Sequence, residues 1–327
     1  QQALLGLEST AQAPQPIEVA ARPISSFERT PSGKTRFGAL EFRGGLHLSS
    51  EFRGFGGWSG LVLSADGRRL LTVSDQGSWL TGEIVYAEGR PSAVRNAVLG
   101  PLMGAGGLAL DRKREADAES VTLLDGTLAR GTVLVAFERD QRIARYPVGE
   151  RGAGAPLGFL KLPPDARRMR ANAGFESVCV IRGGAMAGSV VAFAEELHDT
   201  RRNHTGWIWP GGIDGEPQRL GLVNIADFAV TDLACLPDGS LIVLERRFRW
   251  LEGVQMRLRL IKGATVRPGA LLDGEVLLHA DMAHEIDNME GLALHRGPRG
   301  ETILTLVSDD NFNHLLQRTL LLQFVLA

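Results

Sequence analysis

The sequence lacks the features that mark several common classes of protein. No apolar stretch of the 327 residues approaches the roughly eighteen needed for a membrane span, so we predict no transmembrane segment. The formal net charge is only −2, which gives no basic footprint for nucleic acid. P-loop and Rossmann fingerprints are missing, and His284-Glu285 does not continue into the H-E-x-x-H pattern of a zinc protease. Aromatic residues are few, at 6%.

Cysteine is also scarce, with only Cys179 and Cys235. Two cysteines make neither a disulfide scaffold nor a CxxC metal site. Each lies three residues after an acidic residue, in "ESVCV" and "TDLACL", which predicts equivalent positions in two copies of one structural unit. Packed sheets stand about 10 Å apart, whereas bridged cysteines have Cα atoms about 5.5 Å apart. We therefore predict two free, buried thiols.

The amino-terminal residues 1–23 are rich in Gln, Ala and Pro and lack the basic and apolar regions of a signal peptide. They are predicted to form a linker or disordered segment before a single domain over residues 24–327. A polar, Pro-containing segment before a strand-rich domain is typical of a mature exported chain. The expected location is therefore periplasmic or secreted.

Glycine, in contrast, is abundant at 40 residues, and it punctuates five similar units. Each unit has a strand, a Gly-rich turn and a second strand. Their first strands begin near residues spaced by about 50 to 70 positions. These starting residues are Ser59, Gly107, Glu176, Asp232 and Glu290.

The length of each unit predicts a four-stranded antiparallel sheet, and such sheets repeated radially form a β-propeller. "SWLTGEIVYA" and "GVQMRLRLIKG" are candidate third strands. The carboxyl-terminal "QRTLLLQFVLA" would be the third strand of the last unit, and the amino-terminal "RFGALEFRGGLHL" its fourth. The predicted fold is thus an all-β propeller closed by both ends of the chain. Five blades are counted, and a sixth from residues 24–55 stays open.

The second strands of all five units end in a carboxylate. In a hairpin, the end of the second strand lies beside the start of the first, so these residues should share one face with the acidic residues that open the first strands. Eight acidic groups would then crowd one central mouth. They are Asp75, Glu138, Glu195, Glu245 and Asp309 at the strand ends, and Glu176, Asp232 and Glu290 at the strand starts.

Two explanations of this acidic ring remain open. Crowded carboxylates recruit a cation, and hard oxygen ligands in a flexible ring suit Ca²⁺ best. Alternatively, the acids pair with arginines such as Arg139, Arg246 and Arg247, which follow two of the strand ends.

The segment 196–207, "ELHDTRRNHTGW", should rise beside the same mouth. His198, Arg201, Arg202 and His204 could bind an anionic substrate, because guanidinium groups bind phosphate oxygens and histidine moves protons near neutral pH. The alternative is a solvated polar loop. Ser59, in "GWSGL", lacks the final glycine of a nucleophile elbow and is a weak candidate for a nucleophile.

Five blocks of the chain, from about residue 36 to the end, resemble the bacterial phytase-like family, also called the esterase-like activity of phytase family. They are "FGGWSGLVLSADGRRLLTVSDQG", "NAGFESVCVI", "LACLPDGSLIVLERRF", "DNMEGLAL" and "LVSDDNFNHLLQRTLLLQFVL". The last block is the most specific. The resemblance implies an exported β-propeller related in general idea to Ca²⁺-dependent phytases, although Lys- and Tyr-rich phosphate-binding blocks are not seen. The matching site positions are Asp75, Glu138, Glu176, Glu245, Arg246, Glu290, Asp309, Asp310, Asn311 and Gln317.

Two functions follow as hypotheses. The first is a Ca²⁺-assisted ester or phosphoester hydrolase acting on a small anionic or ester substrate. Its catalytic carboxylates would be Glu176, Glu290 and Asp309. These three would also bind the metal, together with Asp75, Glu138, Glu245 and Asp310. The substrate would be bound by the basic residues of segment 196–207 and by Arg246, Asn311 and Gln317. The second is a non-catalytic propeller that binds a small ligand or a protein, in which the acidic ring is structural. Whether the protein is an enzyme stays open at this stage.

Overall fold

The computed structural model describes residues 13–110, 112–169 and 174–327, and its regular structure is mostly β-strand. Four strands precede the first complete blade: β1 (Gln15–Pro16), β2 (Ala20–Ile24), β3 (Arg36–Phe37) and β4 (Leu40–Ser49). Residues 15–16 and 20–23 thus form strands within the segment predicted as a linker. Residues 1–12 of that segment lie outside the described residues.

Blades 1 and 2 follow in chain order, and β1 adds to the outer edge of blade 1. In blade 2, two short strands both pair with the third strand. Blade 1 contains β5 (Trp58–Leu63), β6 (Arg69–Ser74), β7 (Ser78–Ala87) and β8 (Arg90–Pro101). Blade 2 contains β9 (Ala118–Gly126), β10 (Arg130–Phe137), β11 (Arg142–Gly149), β12 (Gly152–Ala153) and β13 (Gly158–Phe159).

Blades 3 and 4 repeat the pattern, except that a fifth, short strand adds in parallel to the outer edge of blade 3. Blade 3 contains β14 (Phe175–Val180), β15 (Val190–His198), β16 (His204–Trp209), β17 (Gln218–Leu222) and β21 (Leu271–Leu272). Blade 4 contains β18 (Ala229–Cys235), β19 (Leu241–Arg249), β20 (Gly253–Ile261) and β22 (Glu275–Ala280).

Blade 5 joins the two ends of the chain. Its inner strands are β23 (Asn288–Arg296), β24 (Thr302–Asp309) and β25 (Thr319–Leu326), and β25 pairs antiparallel with the amino-terminal β4. Next, β2 pairs with the outer edge of β4. The predicted closure is therefore confirmed. Residues 24–55 contribute to this blade, so the protein is a five-bladed propeller without the optional sixth blade.

The innermost strands form a ring in which each contacts the next: β5 with β9, β9 with β14, β14 with β18, β18 with β23, and β23 with β5. One apolar cluster fills each of the five interfaces between neighbouring blades. Helical segments are short: α1 (Lys113–Ala116), η1 (Pro164–Arg168), η2 (Gly212–Asp214) and η3 (Gly263–Thr265). The inner strands thus project their ends into a common centre.

The start of the second unit was predicted wrongly. "GGLAL" at residues 106–110 lies in a turn closed by the isolated bridge Met103↔Ala109, and the first strand of blade 2 is β9. Its opening letters, "AESV" from Ala118, repeat the "FESV" that opens β14. Gly107 therefore does not lie at the mouth position of blade 2.

The prediction of free thiols was also wrong, because Cys179 and Cys235 form a disulfide between blades 3 and 4. Their Cα atoms are 5.9 Å apart. The expected separation was taken from flat sheets stacked face to face. In a propeller the inner strands converge on an axis, so β14 and β18 come much closer together than such sheets do.

Candidate active site

A β-bulge near the start of each inner strand shapes the mouth. In blades 2, 3, 4 and 5 the pairing register skips one residue of the first strand, and in three of these blades that residue is a glutamate. A bulge leaves its extra residue unpaired and re-aims the side chain. The skipped residues are Glu119, Glu176, Thr231 and Glu290, and the register of blade 1 shifts beside Ser59.

Asp232 was predicted to share this position, but it lies one residue deeper. Its carboxylate accepts hydrogen bonds from Ser120 Oγ at 2.8 Å and from the Leu292 backbone N–H at 2.7 Å. It thereby ties the inner strand of blade 4 to those of blades 2 and 5. At the same depth, a Cβ on Gly291 would lie 3.0 Å from a backbone atom of Gly60, so the inner strands of blades 5 and 1 are closely packed there.

The second strands complete the mouth with the residue that lies at the paired end of each hairpin or directly follows it. Four of these residues are acidic as predicted, and the fifth is a cation. They are Asp75, Glu138, Glu195, Arg246 and Asp309.

Glu245 does not join this group, in contrast to its predicted role as a metal ligand. It pairs with Val230, one residue before the mouth position, and is fully buried. Its carboxylate accepts hydrogen bonds from Arg257 Nε and from Arg259 Nη1, each at 2.7 Å. Alternate residues of a strand point to opposite faces, so a shift of one residue places Glu245 beside β20 and Arg246 at the mouth.

The carboxyl groups of blades 2 and 3 are the closest. Oxygen atoms of Glu138, Glu176 and Glu195 lie within 4.8 Å of one another, as do those of Asp117, Glu119 and Glu138. Sequence reasoning missed Glu119 and Asp117 because it began blade 2 at the wrong strand. The repeated "ESV" of residues 119–121 and 176–178 was the signal that could have found Glu119.

Basic residues neutralise only parts of this ring. Lys113 Nζ lies 2.7 Å from both Asp75 Oδ2 and Asp117 Oδ1, and Arg139 pairs with Asp117. Arg246 lies 3.4 Å from Glu290 Oε1 and 3.7 Å from Glu195 Oε1. Pairing with arginine therefore accounts for part of the ring, as one of the two explanations predicted.

The central carboxylates are different. In the part of the chain that the structure describes, no lysine or arginine nitrogen lies within 4.0 Å of the carboxylates of three glutamates. These residues are Glu119, Glu138 and Glu176.

Burial and mutual repulsion raise the pKa values of the carboxyl groups at the mouth. Burial raises the pKa of Glu195 and of Glu290 to about 7, even though Arg246 opposes the shift in both. The pKa of Glu176 is raised well above its usual range, first by burial and then by the charges of neighbouring glutamates. Glu119 and Asp309 have pKa values raised in the same direction, with burial again as the largest cause.

The donor set fits a hard divalent cation. Besides the glutamates, three buried oxygen atoms have no hydrogen-bond partner among the described residues: Ser59 Oγ, Asp75 Oδ1 and Asn288 Oδ1. Unpaired buried acceptors are costly, and a cation would satisfy them. Glu119, Glu138, Glu176 and Glu195 are the residues best placed to hold it.

The predicted ligands Asp309 and Asp310 have separate environments. Asp309 ends β24 at the mouth, and its Oδ1 accepts the Asn311 backbone N–H at 2.6 Å. Asp310 accepts hydrogen bonds from the Gly57 backbone N–H at 3.0 Å and from Thr319 Oγ1 at 3.1 Å. Asp310 therefore fastens the entry to β5 onto blade 5.

The predicted substrate-binding residues lie in three cavities. Arg246, Asn311 and Gln317 line one of about 370 Å³. His198 and Arg202 line another of about 530 Å³, together with Glu195 of the mouth. Arg201 and His204 line a third of about 420 Å³. The segment is a β15–β16 hairpin, and burial, aided by His198, lowers the pKa of His204 to about 4.

Fold and site together define a five-bladed β-propeller with a buried acidic mouth. The family model described as "Phytase-like: Esterase-like activity of phytase" matches residues 53–312, so the chain belongs to this family and the predicted resemblance is confirmed. Among the described residues, no helix is long and apolar enough to cross a membrane. A search of curated proteins finds no match.

Similar solved structures are distant in sequence. An endo-arabinase from Bacteroides thetaiotaomicron is 10% identical, with a TM-score of 0.48, over 81% of this chain and 92% of that one. The RRP9 WD40 repeats are 10% identical, with a TM-score of 0.40, over 81% of this chain and 80% of theirs. The Dos1 propeller is 7% identical, with a TM-score of 0.39, over 88% of this chain and 75% of its own.

Proposed function

We propose that the protein is a hydrolase that cleaves an ester or phosphoester at the acidic mouth with the help of Ca²⁺. The observation that carries this proposal is the group formed by Glu119, Glu138 and Glu176, which are crowded together without a basic partner among the described residues. Such a group is destabilising when ionised, unless a cation binds between its members. Membership of the phytase-like family supports a hydrolytic activity.

The roles of the residues follow from their positions. Arg246 offers guanidinium donors to an anionic or polarised substrate oxygen, because its contacts with Glu195 and Glu290 are long for hydrogen bonds. Glu290, with a pKa of about 7, is suited to accept a proton from an attacking water near neutral pH. When bound, Ca²⁺ would neutralise substrate charge and keep its carboxylate ligands ionised.

Glu176 and Asp309 were predicted to be catalytic like Glu290, but we propose other roles for them. Glu176 belongs, with Glu138 and Glu195, to a group of carboxylates that would hold the cation. The backbone N–H of Asn311 fixes Asp309, which fits a ligand or an orienting group. We retain Asp75 as a ligand, because its Oδ1 has no partner among the described residues.

We further propose that the protein works outside the cytoplasm, in the periplasm or after secretion. The Cys179–Cys235 disulfide supports this location, because such bonds form and persist in oxidising compartments. Free Ca²⁺ is also more abundant there than in cytosol, where it is held low. Fractionation of the native host, followed by thiol labelling, would test the location.

The first experiment measures metal binding and turnover on the same preparation. Calorimetric titration with Ca²⁺ is combined with assays on aryl phosphates, phytate and simple aryl esters. Glu176→Gln should weaken Ca²⁺ binding, because an amide keeps the shape but loses the charge. Glu275→Gln, on the exposed outer strand β22, is the matched control and should bind Ca²⁺ as the wild type does.

Glu290→Gln separates catalysis from binding. Loss of a general base should lower kcat by roughly 10²–10⁴-fold while the protein stays folded. Ca²⁺ binding without turnover of any substrate would favour the alternative of a propeller that only binds a ligand. Absence of Ca²⁺ binding would remove the main support for the hydrolase.

A further inference from the structure

One of the three cavities differs from the others in the character of its walls. It lies between the β19–β20 hairpin, the segment before β23 and the segment after β24, with a volume of about 370 Å³. Phe248, Val254, Met282 and Leu316 supply its apolar walls. Phe248 is 58% exposed, Met282 40% and Leu316 82%, so these side chains are not used in the core.

The same cavity reaches the acidic mouth through two polar residues. Arg246 and Asn288 line the cavity, and both also touch Glu290: Arg246 through its ion pair and Asn288 through a side-chain hydrogen bond. Asn288 is only 5% exposed, yet its Oδ1 has no partner among the described residues, and neither does Arg246 Nε have a hydrogen-bond acceptor there. A buried guanidinium N–H without an acceptor points to a ligand that supplies one, such as an ester or phosphate oxygen.

An apolar cavity with a few convergent polar groups is the usual form of a small-molecule site. Exposed apolar side chains gathered beside such groups also mark binding surfaces. The cavity is therefore an extension of the mouth, and its wall changes from polar to apolar with distance from the mouth. Arg246 and Asn288 supply charged and hydrogen-bonding groups near the mouth, and the apolar side chains of Phe248, Val254, Met282 and Leu316 form the rest of the wall.

We propose that the substrate is amphiphilic: an ester or phosphoester group binds at the mouth, and an attached alkyl or aryl group fills the cavity formed by Phe248, Val254, Met282 and Leu316. This inference rests on the proposed hydrolase function. It assigns Phe248 and Leu316 as specificity-determining residues. It also excludes a fully hydrophilic polyphosphate as the best substrate.

The test measures binding and turnover separately on the Ca²⁺-loaded protein. Binding uses alkylphosphonates from methyl to octyl, followed by calorimetry. Affinity should rise by about threefold to fourfold for each methylene that enters the cavity, and should then level off. Turnover uses p-nitrophenyl esters of the same chain lengths, whose kcat/KM should rise in parallel.

Two variants localise the effect. The double variant Phe248→Ser with Leu316→Ser changes side chains that are already exposed, so the propeller should fold, which a melting curve checks. It should abolish the dependence on chain length, so that octylphosphonate binds to the double variant no more tightly than methylphosphonate does. Leu157→Ser, which changes a 50% exposed leucine of blade 2, is the control and should behave as the wild type does.

The outcomes separate the two proposals. Affinity and kcat/KM that do not depend on chain length, or a dependence that survives in the double variant, would overturn the amphiphilic substrate while leaving the hydrolase in place. Affinity that depends on chain length without turnover of any ester or phosphoester would support binding in the apolar cavity and contradict the proposed hydrolase function. Octylphosphonate that binds no more tightly than methylphosphonate rejects the cavity as part of the site.

Discussion

At the scale of single residues, acidic residues of the inner hairpins differ in whether they have a basic partner. Glu245 is fully buried between Arg257 and Arg259, whereas Glu119 faces other carboxylates in the mouth. Removing one partner of a buried ion pair leaves an uncompensated charge, at a cost of about 3–5 kcal/mol. We therefore expect Glu245→Gln to lower the free energy of unfolding strongly and to leave the further stabilisation by Ca²⁺ intact.

Glu119→Gln should show the reverse pattern. Without Ca²⁺ the protein should be as stable as the wild type or slightly more stable, because one member of a repelling group has been neutralised. The stabilisation by Ca²⁺ should shrink. Urea unfolding of both variants, with Ca²⁺ and with chelator, measures the two effects side by side. An undiminished response to Ca²⁺ in Glu119→Gln would place the cation elsewhere.

At the scale of elements, the disulfide links the inner strands β14 and β18 of neighbouring blades. Bridges of this kind contribute about 2–4 kcal/mol. We expect the Cys179→Ser, Cys235→Ser double variant to melt at a lower temperature than the oxidised protein, with the turnover assay unchanged at low temperature. Thiol titration of denatured, unreduced wild type should find no free groups, and two free groups would refute the bridge.

The elements also show what the sequence can and cannot reveal. The alternation of short apolar runs and glycine turns predicted β7 and β20 well, and the carboxyl-terminal "QRTLLLQFVLA" correctly predicted β25. Register was not predictable in the same way. The hydrophobic pattern does not fix a strand end to within one residue, so Asp232 and Glu245 were predicted at the mouth, whereas Thr231 and Arg246 hold the mouth positions of blade 4.

The candidate site was predicted in part for a related reason. Asp75, Glu138, Glu195 and Asp309 follow strands whose ends are visible as apolar runs. Glu119 was missed because "GGLAL" imitates the start of an inner strand but lies in a turn. The apolar cavity was not foreseen, since Phe248, Met282 and Leu316 come from separate segments that only the closed ring brings together.

At the scale of the whole molecule, the mouth couples stability to pH and, under the proposed function, to metal. The folded protein holds protons on Glu195 and Glu290 up to about pH 7, whereas these groups ordinarily titrate near 4.5. Since the folded state binds more protons than the unfolded state in this range, stability falls as pH rises through it. His204, with a pKa lowered to about 4, acts oppositely at acidic pH but is neutral in both states by about pH 8.

We therefore expect the melting temperature of the chelated protein to be lower at about pH 8 than at about pH 6.5, where most of the effect of His204 is already complete. Ca²⁺ should reverse or flatten this trend, because it binds the ionised carboxylates. With free Ca²⁺ a hundredfold above Kd, the stabilisation should reach about 2.7 kcal/mol. Scanning calorimetry over this range provides the measurement, and identical curves with and without chelator would contradict it.

The closure of blade 5 by β4 and β25 also has a consequence for how the chain matures. Synthesis proceeds from the amino end, so β4 emerges first among the long strands of the propeller, while its partner β25 is the last strand of the ring to emerge. Until then β4 presents an unpaired edge, which is a template for pairing with a neighbouring chain. Glu290 and Asp309 also arrive with this last blade. The propeller therefore closes its ring and completes its mouth only after β25 has emerged, and a nascent chain stalled before residue 319 should be inactive and prone to aggregate.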